Sequence, residues 1–159
     1  MFYLESPAGV GYSVCGDAKE CDFNDDNSAD DNRDAILALL QKFSDIKDNE
    51  LYIAGESYAG IYIPKVVKRL DDYIIANKDK TEVYKPNLKG FMVGNGVTHW
   101  KYDGAPATAE AAYWFGLLDD VTYHQMKTCN YEYYDVGASV ANETCKNLMN
   151  KLNSYMTNI

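Results

Sequence analysis

The chain has 159 residues, 47% of them hydrophobic and 25% charged, and carries a net charge of −9. That length holds one sizeable core, and the acidic balance excludes a nucleic-acid role, which needs a basic face, and disfavours docking on anionic lipid. No apolar run reaches the roughly 20 residues that cross a bilayer. Met1-Phe2-Tyr3-Leu4-Glu5 lacks a basic n-region followed by an apolar h-region, so either the protein is not secreted or its natural N-terminus lies upstream.

In chain order, Met1 to Leu4 reads as the end of a strand and Glu5 to Gly11 as a loop, because Pro7, Gly9 and Gly11 punctuate it. Asp17 to Asp34 is crowded with Asp and Asn and has little to bury. Ser28 is the expected helix cap, since Ile36, Leu37, Leu39, Leu40 and Phe43 then recur at helical spacing up to Lys42–Ser44. Leu51-Tyr52-Ile53-Ala54 predicts a buried strand, followed by a tight turn over Gly55–Gly60. Val66, Val67, Leu70 and Ile74 mark one face of a second helix, with Pro64 in its first turn or at a kink just inside it. Leu88 to Val93 predicts a further strand, ending at Gly94-Asn95-Gly96.

Strands alternating with helices over residues 1–104 predict an α/β layered sheet with parallel strands. From about Ala105 the pattern becomes helical. Ala109, Ala112, Phe115 and Leu118 predict one helix, Val121–Lys127 another and Cys145–Met156 a third, with an irregular aromatic stretch at Tyr131–Tyr134. Residues 105–159 thus read as a helical insertion on an α/β core.

Cys15, Cys21, Cys129 and Cys145 show no Cys-x-x-Cys spacing, and neither histidine completes a ligand set, so zinc is a poor reading. One or two disulfides and four free thiols both remain open. The sequon Asn142-Glu143-Thr144 makes Asn142 a glycosylation candidate and points to the secretory route. Asp22, Asn24, Asp26 and Asp30 imitate a calcium loop, but Asn27 stands where glycine is required and Arg33 where the closing glutamate belongs. No metal or cofactor is expected. Most of the fourteen tyrosines read as core and rim residues.

The feature that carries chemistry is strand, Gly55-Glu56-Ser57-Tyr58-Ala59-Gly60, helix. Such an elbow holds its central residue in a strained conformation with the side chain exposed above the sheet. A serine there is a nucleophile awaiting a base, and the amide of Tyr58, at the positive end of the next helix, can face an oxyanion. Ala59 replaces the second glycine of the usual Gly-x-Ser-x-Gly pattern and is small enough to serve. A glycine-rich turn with an ordinary serine is the competing reading.

Three ordered segments resemble the serine carboxypeptidase family: Glu5-Ser6-Pro7-Ala8-Gly9-Val10-Gly11-Tyr12-Ser13; the elbow with Tyr62 and Pro64; and Asn87-Leu88-Lys89-Gly90 with Gly94-Asn95-Gly96. Trp114-Phe115-Gly116-Leu117 resembles the start of that family's helical cap. The resemblance implies an incomplete α/β-hydrolase fold over 1–104 with the beginning of a cap over 105–159. It implies Ser57 as the acyl-forming nucleophile and Tyr58 as an oxyanion donor through its backbone N–H. Glu5 and Glu56 would recognise the free C-terminal carboxylate of a peptide or protein substrate. Two glutamates beside a third carboxylate cannot all be charged cheaply, so the set shares a proton; substrate binding is then expected to be best at acidic pH.

The same resemblance pairs Cys129 with Cys145 in the cap, leaves Cys15 and Cys21 either bridged locally or reduced, and implies a secreted, lysosomal or vacuolar protein. It also places the triad acid and histidine beyond the cap, so neither His99 nor His124 is expected to be the base. A glycine-rich oxyanion segment is expected before Met1. The chain would then be a fragment that is inactive alone, its three strands leaving exposed sheet edges. An acyltransferase on the same scaffold, or a non-catalytic truncated product, are the alternatives; retention of both Glu5 and Glu56 favours the peptidase.

Overall fold

The computed structural model describes residues 1–17, 21–129 and 143–157. They form two compact units, Met1–Gly96 and Val97–Ile159. The change of character expected near residue 104 falls inside the second unit, which begins with a short helix that the sequence pattern did not announce. The sequon at Asn142 and the aromatic stretch Tyr131–Tyr134 lie outside the described residues.

The first unit runs α1 (Asp25–Lys42), β1 (Glu50–Glu56), α2 (Ala59–Ala76), β2 (Asn87–Gly94). β1 and β2 pair in parallel with α2 as the crossover, the arrangement that alternating strand and helix patterns require. The register runs Leu51 with Leu88, then slips so that Tyr52 faces Gly90 and Gly55 faces Val93. Leu51, Ile53 and Leu88 pack against a core of Ala29, Leu37, Val66 and Leu70 from the two helices. The opposite-facing Tyr52 and Met92 stay exposed.

Two expectations fail here. Met1–Leu4 forms no strand, so the described sheet has two strands rather than three; an apolar run becomes a strand only where a ladder partner accepts it. The cap of α1 is Asn24, not Ser28. The Asn24 side chain accepts from the amides of Asp26 and Asn27, while the Asn27 side chain accepts from the Asn24 amide at 2.7 Å. This reciprocal box satisfies more orphan donors than a single hydroxyl, and it starts the helix early enough to put Asp25 and Asp26 in its first turn, where the macrodipole favours them. Pro64 lies inside α2, beyond the first turn.

The second unit comprises α3 (Trp100–Asp103), α4 (Ala105–Trp114), α5 (Asp120–Thr128) and α6 (Glu143–Thr157). Its core joins Ala109, Ala112, Leu118, Met126 and Leu152. Phe115 does not share that core, being 81% exposed: α4 ends at Trp114 and the chain turns at Gly116, whose φ is +74°. Leu118 therefore reaches the core from the loop rather than from the helix. Asp119 caps α5, accepting from the Thr122 amide at 2.8 Å and its hydroxyl at 2.7 Å.

Candidate active site

β1 ends at Glu56 and α2 begins at Ala59, so Ser57 and Tyr58 alone make the reversal from strand to helix. Ser57 has φ +64°, in the left-handed region that a side chain enters only at a cost of about 1–3 kcal/mol. Its amide donates to the Gly94 carbonyl at 3.0 Å and its carbonyl accepts from the Gly60 amide at 3.1 Å. The elbow is thereby tied to the end of β2 on one side and to the first turn of α2 on the other, and Ser57 is exposed.

The residues around the serine explain why the reversal is possible. A Cβ on Gly55 would meet the Cβ of Ala59 at 2.5 Å and Ile63 Cγ1 at 3.0 Å. Strand and helix thus approach as closely as the expected glycine–small pair allows. Ala59 itself is fully buried, so its methyl group fills the space that the more usual glycine leaves open.

Tyr58 is the N-cap residue of α2, with helical dihedrals (φ −60°, ψ −12°) and no side-chain cap bond. Its phenol donates instead to Asp25 at the start of α1, 3.1 Å from each carboxylate oxygen. Burial, and then the hydrogen bond and charge of Asp25, push the phenol above its ordinary pKa. Beside this contact, Asp26 pairs with Lys65 at 3.0 Å and with Arg69 at 3.3 Å, and Asp30 pairs with Arg69 at 3.0 Å. The hydrogen bond and charge of Lys65 hold Asp26 below the ordinary carboxylate range.

Glu56 is the last residue of β1, next to Ser57, and is exposed. Glu5 lies in the separate 5–13 loop. Its Oε2 accepts from the Tyr12 amide, and its carbonyl accepts from the Ser13 hydroxyl at 2.5 Å. Gly11 has φ +55°, and a Cβ there would overlap the Glu5 carboxylate, so the loop closes over this glutamate only because residue 11 is glycine. Asn32 of α1 fixes the same loop by donating to Ser6 Oγ at 2.7 Å. A groove of about 620 Å³ between the loop and α1 is lined by Glu5, Ser6, Asn27, Asp31 and Asn32 among others. Glu56, Ser57 and Tyr58 do not line it.

Both cysteine pairs are bridged, Cys15 with Cys21 and Cys129 with Cys145, each with Cα atoms 5.8 Å apart. The second is the pairing that the resemblance implied; the first closes the question left open for Cys15 and Cys21. His99 and His124 both belong to the second unit. His99 lies against Tyr102 with ring centroids 5.1 Å apart, and His124 meets Tyr123 edge-on at 5.4 Å.

Sequence reasoning missed Asp25 and Asn32. Nothing local marks them: in an acidic stretch each reads as a solvated residue, and their partners lie 33 and 26 residues away.

Comparison with known proteins places these features. The serine carboxypeptidase family model matches residues 1–159. Serine carboxypeptidase 24 of Arabidopsis thaliana is 40% identical over 137 residues, covering 82% of this chain and 28% of that protein. Serine carboxypeptidase 1 of Hordeum vulgare is 35% identical over 159 residues, covering 98% of this chain and 31% of that protein. The chain therefore spans somewhat under a third of the length of these relatives. Among solved structures, Kex1(delta)p, a prohormone-processing carboxypeptidase from Saccharomyces cerevisiae, superposes with a TM-score of 0.65 at 20% identity, over 95% of this chain and 34% of that one. That last likeness is one of fold. With a strand-to-helix elbow around Ser57, a family match along its whole length and relatives at 35–40% identity, the chain belongs to the serine carboxypeptidase family.

Proposed function

We propose that this chain carries the nucleophile of a serine-type carboxypeptidase, an enzyme that releases C-terminal residues from peptides through an acyl-enzyme. The observation that carries the reading is Ser57 at φ +64° between β1 and α2, in a chain that matches the family throughout. Ser57 Oγ attacks the scissile carbonyl carbon as its proton passes to a general base. The tetrahedral oxyanion is met by the Tyr58 N–H at the start of α2, where the helix dipole adds to the stabilisation. Collapse expels the C-terminal residue as the amine, and water then hydrolyses the Ser57 ester.

Glu56, adjacent to the nucleophile, recognises the substrate's terminal carboxylate. Glu5 is the second carboxyl of this reading; with Oε2 engaged by the Tyr12 amide, it would meet substrate through Oε1. An acidic optimum is the expectation that the family resemblance carries for this reading. The two disulfides support a route through an oxidising compartment, secreted, lysosomal or vacuolar. Among the described residues no helix is long and apolar enough to cross a membrane.

The fold is read as part of an α/β-hydrolase core with the first helices of a cap. The general base is assigned to neither His99 nor His124, since family resemblance puts the triad acid and histidine after the cap; the isolated chain is accordingly inactive. The test is mass spectrometry of an unblocked peptide incubated with the chain at about pH 5, the acidic range that the resemblance implies, with Ser57→Ala as control. An intact peptide is expected. C-terminally shortened products that vanish in Ser57→Ala would keep Ser57 as nucleophile and refute the assignment of the base. Shortening that persists in Ser57→Ala would refute the nucleophile.

A further inference from the structure

Most helices are started by a side chain that accepts from the first free amides. α2 has no such device: its N-cap is Tyr58, which makes no side-chain cap bond, and its first turn holds no acidic residue. Tyr58 is also the residue whose amide the proposed mechanism uses. Its ring has few rotatable bonds, lies 6.1 Å from that of Tyr62, and ends in a phenol bound evenly to both oxygens of Asp25. Asp25 in turn stands on a helix whose register along α2 is set by the next residue, Asp26, on Lys65 and Arg69, and by Asp30 on Arg69. Each exposed ion pair contributes little by itself, but three sharing Arg69 and Asp26 form a network that holds the first turn of α1 opposite the first turns of α2.

We infer that Asp25 is a positioning residue for the nucleophile elbow, holding the Tyr58 phenol so that the start of α2 keeps its direction relative to Ser57. Its importance for reaction rests on the function proposed above; its action on the elbow does not. The Asp25 carboxylate replaces the missing local cap with a tether from another helix. The Ser57 amide bond to Gly94 is the second tether, and it reports whether the first is in place.

The test is amide hydrogen exchange by NMR on the whole chain, for wild type, Asp25→Ala, Tyr58→Phe, the double variant, Asp25→Asn and Asp26→Asn. Asp25→Ala is expected to speed exchange of the Ser57 amide about three- to tenfold, the size of one lost hydrogen bond. Tyr58→Phe should do the same, and the double variant should add nothing further. Asp25→Asn, which keeps an acceptor, should restore most of the protection. Asp26→Asn, which loosens the network but leaves the phenol bond to Asp25, should speed the Ser57 amide by less than Asp25→Ala does, and an equal or larger effect would overturn the inference.

Equal acceleration by Asp25→Ala with and without the Tyr58 phenol would overturn the inference. So would a uniform acceleration that includes the Val66 and Leu70 amides, since that is mere destabilisation of the helix pair. A fluorophosphonate probe applied to the same samples addresses the chemistry separately. Labelling of Ser57 in the wild type would refute the reading of the isolated chain as inactive, and labelling confined to another serine would refute the nucleophile, whereas the exchange cycle decides the role of Asp25 whichever way labelling goes.

Discussion

Gly55→Ala perturbs the closest approach in the elbow. The added methyl carbon would stand 2.5 Å from Ala59 Cβ and 3.0 Å from Ile63 Cγ1, whereas carbon atoms rest at about 3.5–4.0 Å. β1 and α2 must therefore separate by about 1 Å at the point where Ser57 is held. Overpacking of this kind costs about 1–3 kcal/mol. Urea unfolding followed by far-UV circular dichroism measures the loss. Ala59→Gly removes the nearer obstruction, at its own cost of about 0.5–1 kcal/mol for glycine in a helix. Combining the two should recover at least about 1 kcal/mol relative to the sum of the single effects. Residual crowding from Ile63 keeps the double variant below wild type. A Gly55→Ala protein within about 0.5 kcal/mol of wild type, or strict additivity in the pair, would refute the account of the elbow as a glycine–alanine contact.

Leu70→Ala should destabilise the first unit by about 2–5 kcal/mol, because Leu70 is fully buried among Val66, Ala29 and Leu37; thermal unfolding of that variant checks it. The Thr122 hydroxyl and amide, with Lys151, depress Asp119 from 3.8 to about 2. A depressed carboxyl stabilises the fold above its unfolded value and loses that contribution as pH falls through its folded value. Exchange protection in the first turn of α5 should therefore hold above about 3.8 and fade toward about 2, and Asp119→Asn should abolish that titration. Reduction of Cys129–Cys145, whose partners are 16 residues apart, should cost the second unit about 3 kcal/mol. Calorimetry with and without reductant, on a Cys15→Ser/Cys21→Ser background, isolates that bridge.

Much of the candidate site was legible because it is local. The strand, the Gly55–Gly60 turn and the apolar face of the next helix sit consecutively in sequence, and each follows from residue size and spacing. Ala59 read correctly as an acceptable small residue. The helix start at α1 was misread because Ser28 precedes an apolar run, while the stronger cap is an Asn24–Asn27 exchange that lacks the familiar serine-to-glutamate pattern. Phe115 was misplaced because helical spacing was carried through a turn at Gly116. Glu5 to Gly11 read as a loop from its Pro7, Gly9 and Gly11, but nothing in that pattern showed that the loop folds back on Glu5 through Tyr12 and Gly11.

By itself the sequence determined the α1–β1–α2–β2 order and the elbow that exposes Ser57, which rest on short-range periodicity and a contiguous motif, and its likeness to the family, which rests on three ordered segments. Tertiary structure decided which apolar runs pair: the run at residues 1–4 forms no strand, because a ladder needs a neighbour and not only β propensity. It also decided what each acid in the Asp25–Asp34 stretch does. Seen as sequence they are equivalent; folded, Asp25 meets the Tyr58 phenol while Asp26 and Asp30 meet Lys65 and Arg69. Contacts across 33 to 43 residues depend on how two helices lie against each other, and no local pattern in the chain encodes that.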